Sequence, residues 1–306
     1  MKDLVSVIMP VFNGAKYIRS MLESIIRQTY RPLQIVLYDD ASSDNSMEII
    51  QNWSKEQTDK NVKIEIYSSE KNEGLRKTTS KAVLLAEGKY IFLADQDDIW
   101  LPRKIDVQVN YMERNADCMV CFCRRKVIGT DGRILMPYEN IKEPVYMKKM
   151  GIAEVISKPA CFPANCMCLR NCHLDKIFPI HNMYSEHDSF ITIMAAHFGK
   201  VVLLRDTLVE YRIHGKNSSN AYFAESNRNL LFVLKIEVSQ LKKAKITYRR
   251  DEDILKAVLY ERFKEDYTEI SNNYHREPVK HVYLFAFSWL LKKIIMGELN
   301  RFNKGQ

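Results

Sequence analysis

A chain of 306 residues, 46% apolar and 27% charged, has the composition of an ordinary globular protein. That excludes a disordered or low-complexity polypeptide and leaves room for one large α/β domain with an appendage. The formal net charge of +8 points to an anionic partner, but its sign does not separate nucleic acid, anionic lipid and a phosphorylated small molecule.

In chain order, "LVSVIM" (Leu4 to Met9) reads as a buried strand. Its six residues are too few for the apolar core of a secretory signal, so a cytoplasmic protein is expected. A loop at Pro10 to Gly14 follows, then a helix on which Ile18, Met21, Leu22, Ile25 and Ile26 recur at helical spacing. "LQIVLY" (Leu33 to Tyr38), "VKIEIY" (Val62 to Tyr67) and "KYIFLA" (Lys89 to Ala94) are three more strands, rich in β-branched and aromatic residues. Helices near Ser46 to Trp53 and Lys77 to Glu87 separate them. This alternation predicts a mostly parallel sheet with helices on both faces.

After Pro102 the spacing predicts a helix over "RKIDVQVNYMERN", then the strand "CMVCFCRRKVI" and a hairpin turn at Asp131-Gly132. The segment from Met136 to Pro163 carries no clear pattern. A second block holds "NCMCLR", a helix around "EHDSFITIMAAHFG", the strand "VVLL" and "TLVEYRIHGKNSS". From about Glu225 the chain turns to long helical patterns and becomes basic, with 16 Lys+Arg against 11 Asp+Glu up to Gln306. The seven cysteines lack the paired spacing of a zinc ribbon or finger and are expected to be buried free thiols.

Ligands of such sheets bind outside the carboxyl ends of the strands. "PVFNG", "YDDASSDNS" and "DQDD" each follow a strand directly, so three polar loops should meet at one edge. Asp95, Asp97 and Asp98 lie close enough to repel one another unless a cation such as magnesium or manganese neutralises them. A solvated turn with Asp98 capping the next helix is the competing reading. Asp44 is expected to cap the helix near Ser46, which leaves Asp39 free to serve a ligand. "NEGLRK" could meet a phosphate through Arg76 and Lys77 at a helix start, or be a solvated helix start. Asp188 can be a helix-start acid favoured by the dipole, and His214 a surface residue of a turn.

Taken in order, these strings resemble the family 2 glycosyltransferases, inverting enzymes of the GT-A fold. The stretch "VSVIMPVFNGAKYIRSMLESIIRQTYRPLQIVLYDDASSDNS" is similar to the family's opening, and "KNEGLRKTTSKAVLLAEGKYIFLADQDDIWLPRK" to the part containing its DxD motif. "DQDDIW" paired with "EHDSFITIMAAHFGKVVLLRDTLVEYRIHGKNSS" resembles the rhamnosyltransferase-like branch. The resemblance implies a catalytic domain over residues 1–222 and a helical extension over 223–306. It implies that Pro10, Val11 and Asn13 flank the nucleoside, that Asp39 accepts a hydrogen bond from the base, and that Asp95 lies near the ribose or the metal. Asp97 becomes the main ligand of Mn2+ or Mg2+, with Asp95 and His214 beside it, and Asp98 a supporting acid. Asp188 becomes the catalytic base, with Glu186 as the competing carboxylate. Many members have Arg-Asn where this chain has Thr79-Ser80, which shifts the expected diphosphate contact to Arg76 or Lys77.

The implied reaction moves a sugar from a UDP- or dTDP-linked donor to a hydroxyl of a glycan or lipid-linked glycan in cell-envelope polysaccharide synthesis. Nucleic acid is not an expected partner. A nucleotide-sugar-binding module without transfer activity and a metal-dependent nucleotidyltransferase are the alternatives. A nicotinamide dehydrogenase is disfavoured because no G-x-G-x-x-G follows the first strand. "VKHVYLFAFSWLLKKII" (Val279 to Ile295) fits either an interfacial helix, giving peripheral contact at the inner face of the cell membrane, or a core helix.

Overall fold

A computed structural model describes residues 2–136, 149–151, 155, 162–181, 187–214 and 217. Glu186, Cys161 and the whole extension over 223–306 lie outside the described residues.

Among the described residues nine strands form one sheet: β1 (Val5–Val11), β2 (Leu33–Asp39), β3 (Val62–Ser68), β4 (Tyr90–Leu93), β5 (Ile99–Trp100), β6 (Cys118–Ile128), β7 (Ile134–Met136), β8 (Met167–Arg170) and β9 (Lys200–Arg212). Their order is β3-β2-β1-β4-β8-β6-β9-β5, with β7 paired to β6. The first four strands are parallel, as the strand-helix alternation predicts. Direction reverses at β8, which pairs antiparallel with both β4 and β6, so β6 again runs with β4. β9 is parallel to β6 and therefore ends on the same edge as β1, β2 and β4. That topology delivers Arg212 and His214 to the acidic turn after β4.

Among the described residues six helices accompany the sheet: α1 (Ile18–Ile26), α2 (Ser46–Lys55), α3 (Leu75–Val83), α4 (Lys104–Arg114), α5 (Leu174–Ile177) and α6 (His187–Ala196). α1 buries Ile18, Met21, Leu22 and Ile25, the stripe its spacing predicts, while Ile26 packs on the core partly covered. It also braces the chain below the acidic turn, since Ser24 Oγ accepts the Trp100 amide at 3.0 Å and Gln28 Oε1 accepts that of Ile105 at 3.1 Å. α6 buries every residue from Ser189 to Ala196, so it has no solvated face and only its first turn is open.

The hairpin at Asp131-Gly132 is present between β6 and β7, with Gly132 at φ 81° in the region that suits glycine. Gly88 answers a different need: a Cβ there would stand 2.5 Å from the Ser6 amide nitrogen, where the chain enters β4 against β1. Among the described cysteines, Cys118, Cys121, Cys123, Cys166 and Cys168 are buried free thiols and Cys172 is half-buried. The sequence reading missed β5, only two residues long, the four-residue α5, and the full thirteen-residue length of β9.

Candidate active site

The three loops do meet. β1 ends at Val11, and the next residues bond sideways to both neighbours. The Phe12 amide donates to Gln96 Oε1 at 3.0 Å, and Gln96 Nε2 donates to the Phe12 carbonyl at 2.9 Å. The Asn13 amide donates to Ser42 Oγ at 2.9 Å, Asn13 Oδ1 accepts the Ser43 amide at 2.8 Å, and the Gly14 amide donates to Ser46 Oγ at 2.8 Å. Asn13 sits at φ 50°, a left-handed conformation that asparagine tolerates. The Phe12 ring stays 45% exposed at the mouth of this edge, an unusual place to leave an aromatic face.

The β2 loop divides its acids between ligand side and frame. Asp39 is buried, and its carboxylate accepts the Ser42 amide at 2.9 Å and the Ser42 hydroxyl. Asp40 is buried too and takes the amides of Glu73 and Gly74, each at 2.8 Å, which fixes the start of α3. Asn45 occupies the N-cap position of α2, one residue past the expected Asp44. The Asp44 carboxylate still accepts the amide of Ser46, the first helical residue, and that of Ala15, each at 3.0 Å. Burial raises the Asp44 carboxyl, but these bonds and the Ser46 hydroxyl outweigh it and hold the group below its ordinary range.

The acids after β4 have three different fates. Asp97 Oδ2 lies 2.8 Å from His214 Nε2, and Asn217 Nδ2 approaches the same oxygen at 3.4 Å. Asp95 is half-buried at the end of β4. Burial, the first cause, and the neighbouring charges of Asp97 and Asp188 push its carboxyl up to about 7, while Arg125 pulls the other way. Asp98 is fully buried. It accepts the Arg212 amide at 2.9 Å and the Asn165 side-chain amide, and burial, then Asp95 and Asp97, raise it well above the usual carboxylate range. The reading of Asp98 as a solvated helix cap does not hold: the residue is buried, and α4 begins after Arg103 with no side-chain cap. It ties the end of β9 to the turn after β4.

Asp188 stands in the open first turn of α6, where the helix dipole favours an anion, and its Oδ1 accepts the Ser189 amide at 2.8 Å. Its charge adds to the upward push on the Asp95 carboxyl. Arg76 and Lys77 lie on the first turn of α3, beside the β2 loop, where Lys77 acts on Glu73. Ser80 is structural: its hydroxyl donates to the Arg76 carbonyl at 2.7 Å and accepts the Ile180 amide at 3.0 Å.

Sequence reasoning missed the residues that hold His214. The Tyr17 ring stacks on it with centroids 5.0 Å apart, and the Arg212 guanidinium lies 4.9 Å from the Tyr17 centroid. Arg212 also donates to the Asp97 carbonyl at 3.0 Å and the Gly129 carbonyl at 3.1 Å. Asn217 Nδ2 donates to the Arg212 carbonyl at 2.8 Å, closing the turn that carries His214. The "YRIHGKNS" string contains two of these residues, Arg212 and Asn217, but only the fold reveals their partners.

A sheet of this order, with acids from β4 and a histidine after β9 meeting at one edge, defines a GT-A glycosyltransferase domain. The profile of glycosyl transferase family 2 matches residues 6–175, and the chain belongs to that family. An uncharacterised glycosyltransferase of Methanocaldococcus jannaschii is 30% identical over 71% of this chain and 73% of its own. The Bacillus subtilis protein TuaG, whose name assigns it to teichuronic acid biosynthesis as a glycosyltransferase, is 30% identical over 46% of this chain and 54% of its own. Among solved structures, S. aureus TarS 1-349 in complex with UDP-GlcNAc is 21% identical with a TM-score of 0.58, over 72% of this chain and 62% of that one. The mannosyltransferase PcManGT from Pyrobaculum calidifontis, in complex with GDP-Man and Mn2+, is 17% identical with a TM-score of 0.56, over 71% and 59%. Thus the chain spans less than two thirds of either solved chain. Among the described residues no helix is long and apolar enough to cross a membrane.

Proposed function

We propose that this glycosyltransferase moves a hexose from a UDP- or dTDP-linked donor to a hydroxyl of a glycan or lipid-linked glycan acceptor, with inversion, in cell-envelope polysaccharide synthesis. The observation that carries it is the meeting of the loops after β1, β2 and β4 with the end of β9 at one edge of the sheet, where Asp97 Oδ2 lies 2.8 Å from His214 Nε2 and Gln96 is bonded to Phe12. The envelope setting is supported by the likeness to TuaG, and a uridine donor by the likeness to TarS.

In this reading Pro10, Val11 and Asn13 line the nucleoside, and Asp39, oriented by Ser42, receives a donor N–H of the base. Arg76 and Lys77 face the diphosphate side. Asp188 is the base: it takes the proton of the acceptor hydroxyl as that oxygen bonds to the anomeric carbon. The bond from that carbon to the diphosphate breaks, so the nucleoside diphosphate leaves with the electron pair. A single displacement inverts the centre. A positioned carboxylate base contributes roughly two to four powers of ten in rate.

No three His, Cys, Asp or Glu side chains among the described residues converge on one point, as a cage built by protein alone would require. Mn2+ and Mg2+ need no such cage, because they take oxygen ligands and share their shell with substrate phosphates. Asp97 and His214, with Oδ2 and Nε2 2.8 Å apart, are the pair from which such an ion would be held, with Asp95 on the same turn as the third oxygen donor of this reading. These three residues would hold it, and the bound ion would supply Lewis-acid neutralisation of the departing diphosphate.

Incubation with UDP- and dTDP-sugars, glycan acceptors and Mn2+, read by release of nucleoside diphosphate, tests the reading. Release that Asp188→Asn removes supports it. No release with any donor and acceptor leaves the nucleotide-sugar-binding module.

A further inference from the structure

The loop after β1 and the acidic turn after β4 are carried by neighbouring parallel strands, but the backbone ladder between them ends early. Its last register pair is Ile8 with Leu93, followed by the Ala94 amide on the Ile8 carbonyl at 2.9 Å. Further along, Gln96 continues the ladder with its side chain. Its carboxamide meets both backbone groups of Phe12, accepting at 3.0 Å and donating at 2.9 Å, the pair of bonds a strand would offer. Only an amide does both jobs. A glutamate would leave the Phe12 carbonyl without a donor and add another charge among Asp95, Asp97 and Asp98. Gly14 makes the room, since a Cβ there would stand 2.3 Å from Gln96 Oε1.

We infer that Gln96 is a positioning residue that locks the nucleoside-side loop to the acidic turn, so that a nucleoside diphosphate meets one rigid receptor at both ends. This rests on the donor-binding reading above. Its consequence is thermodynamic. Where the two loops are held in register beforehand, binding base and diphosphate together costs little extra ordering; unlatched, the two ends must be brought into register each time. Gln96 therefore acts on how the two halves add, rather than on either half.

The test is calorimetric binding, with Mn2+ present, of uridine, thymidine and guanosine and of their diphosphates to the full-length chain and its Gln96→Met and Gly14→Ala variants. The quantity read is the ratio of diphosphate affinity to parent nucleoside affinity for the base that binds best. Gln96→Met keeps length and bulk but neither bond. The ratio should fall about tenfold in it, the scale of two hydrogen bonds, with nucleoside affinity within about twofold of wild type. Gly14→Ala, which pushes Gln96 aside, should lower the same ratio. An unchanged ratio in a folded Gln96→Met chain overturns the latch while sparing the donor reading. Equal loss of nucleoside and diphosphate affinity also overturns it, because it would show general damage. A wild-type chain that binds none of the diphosphates sinks the donor reading and the latch together.

Discussion

Replacing Asp98 by alanine should unfold the protein at a much lower temperature, whereas replacing it by asparagine should cost little. The carboxyl group is fully buried and is the acceptor for two donors, the Arg212 amide at 2.9 Å and the Asn165 side-chain amide. Alanine strands both. A buried donor left unpaired costs about 1–3 kcal/mol, so two cost roughly 4 kcal/mol. For a domain of this size each kcal/mol moves the melting temperature by about 2–4 °C, giving a fall of ~8–16 °C. Asparagine keeps an acceptor for the Arg212 amide. Its new amide group can be received by Asn165 Oδ1, which is buried without a partner among the described residues and reaches this position by a half-turn of its amide. The loss should therefore stay within about 1 kcal/mol. Thermal unfolding of the three proteins by circular dichroism decides it. An alanine variant that melts within ~3 °C of wild type would refute the reasoning. So would an asparagine variant that falls as far as the alanine one.

Asp188→Asn should lower transfer by about two to four powers of ten and leave both melting temperature and nucleoside diphosphate affinity near wild type; retained turnover would move the base elsewhere. Asp97→Ala and treatment with a chelator should each abolish transfer, with Mn2+ restoring only the chelated wild type. Activity in Asp97→Ala would return that acid to a structural role. Lys104 is fully buried with its ammonium 3.9 Å from the Trp100 ring centroid and 4.5 Å from that of Phe92, and burial, the largest cause, lowers its pKa. The folded state then binds fewer protons than the unfolded one between the lowered value and the ordinary 10.5, so stability rises with pH across that window. Lys104→Met should be at least as stable as wild type at neutral pH, with an advantage that shrinks as pH climbs toward 10.5. Melting curves from pH 7 to 10 check this, and a variant less stable throughout would show that the ammonium is well served where it lies.

The meeting of the loops after β1, β2 and β4 at one edge was legible because its signals are local. Each of Asp39, Asp95 and Asp97 follows a strand whose composition marks it, and a parallel sheet sends all such loops to one edge. The resemblance then ordered the motifs and supplied Asp188 and His214, which periodicity alone leaves as ordinary helix-start and turn residues. What stayed hidden depends on partners far away in sequence. Asp98 is buried by Asn165 and Arg212, 67 and 114 residues off, so no local pattern separates it from a solvated cap. Gln96 looks like a spacer between two acids until Phe12, 84 residues away, supplies its two bonds. Tyr17 reads as one more residue entering an amphipathic helix, and its stack on His214 exists only once β9 lies at the right edge. β5 could not be found by period because two residues do not make one.

The reversal of strand direction between β4 and β8 has a consequence for how such an enzyme can change over time. Phe12, Asp39, Asp95 and Asp97 all come from the first hundred residues, on the parallel side of that seam, while Asp188 and His214 arrive from beyond it. Drift in the later segments can remodel what approaches Asp188 without disturbing a single bond of the Phe12–Gln96–Ser42 framework. The halves are held together by the β4–β8 and β5–β9 ladders and by the bonds of Asp98 to Arg212 and Asn165, so these seams stay fixed while the first turn of α6 is left to vary. On the donor reading proposed above, a lineage would keep its grip on one activated sugar while its recipients change.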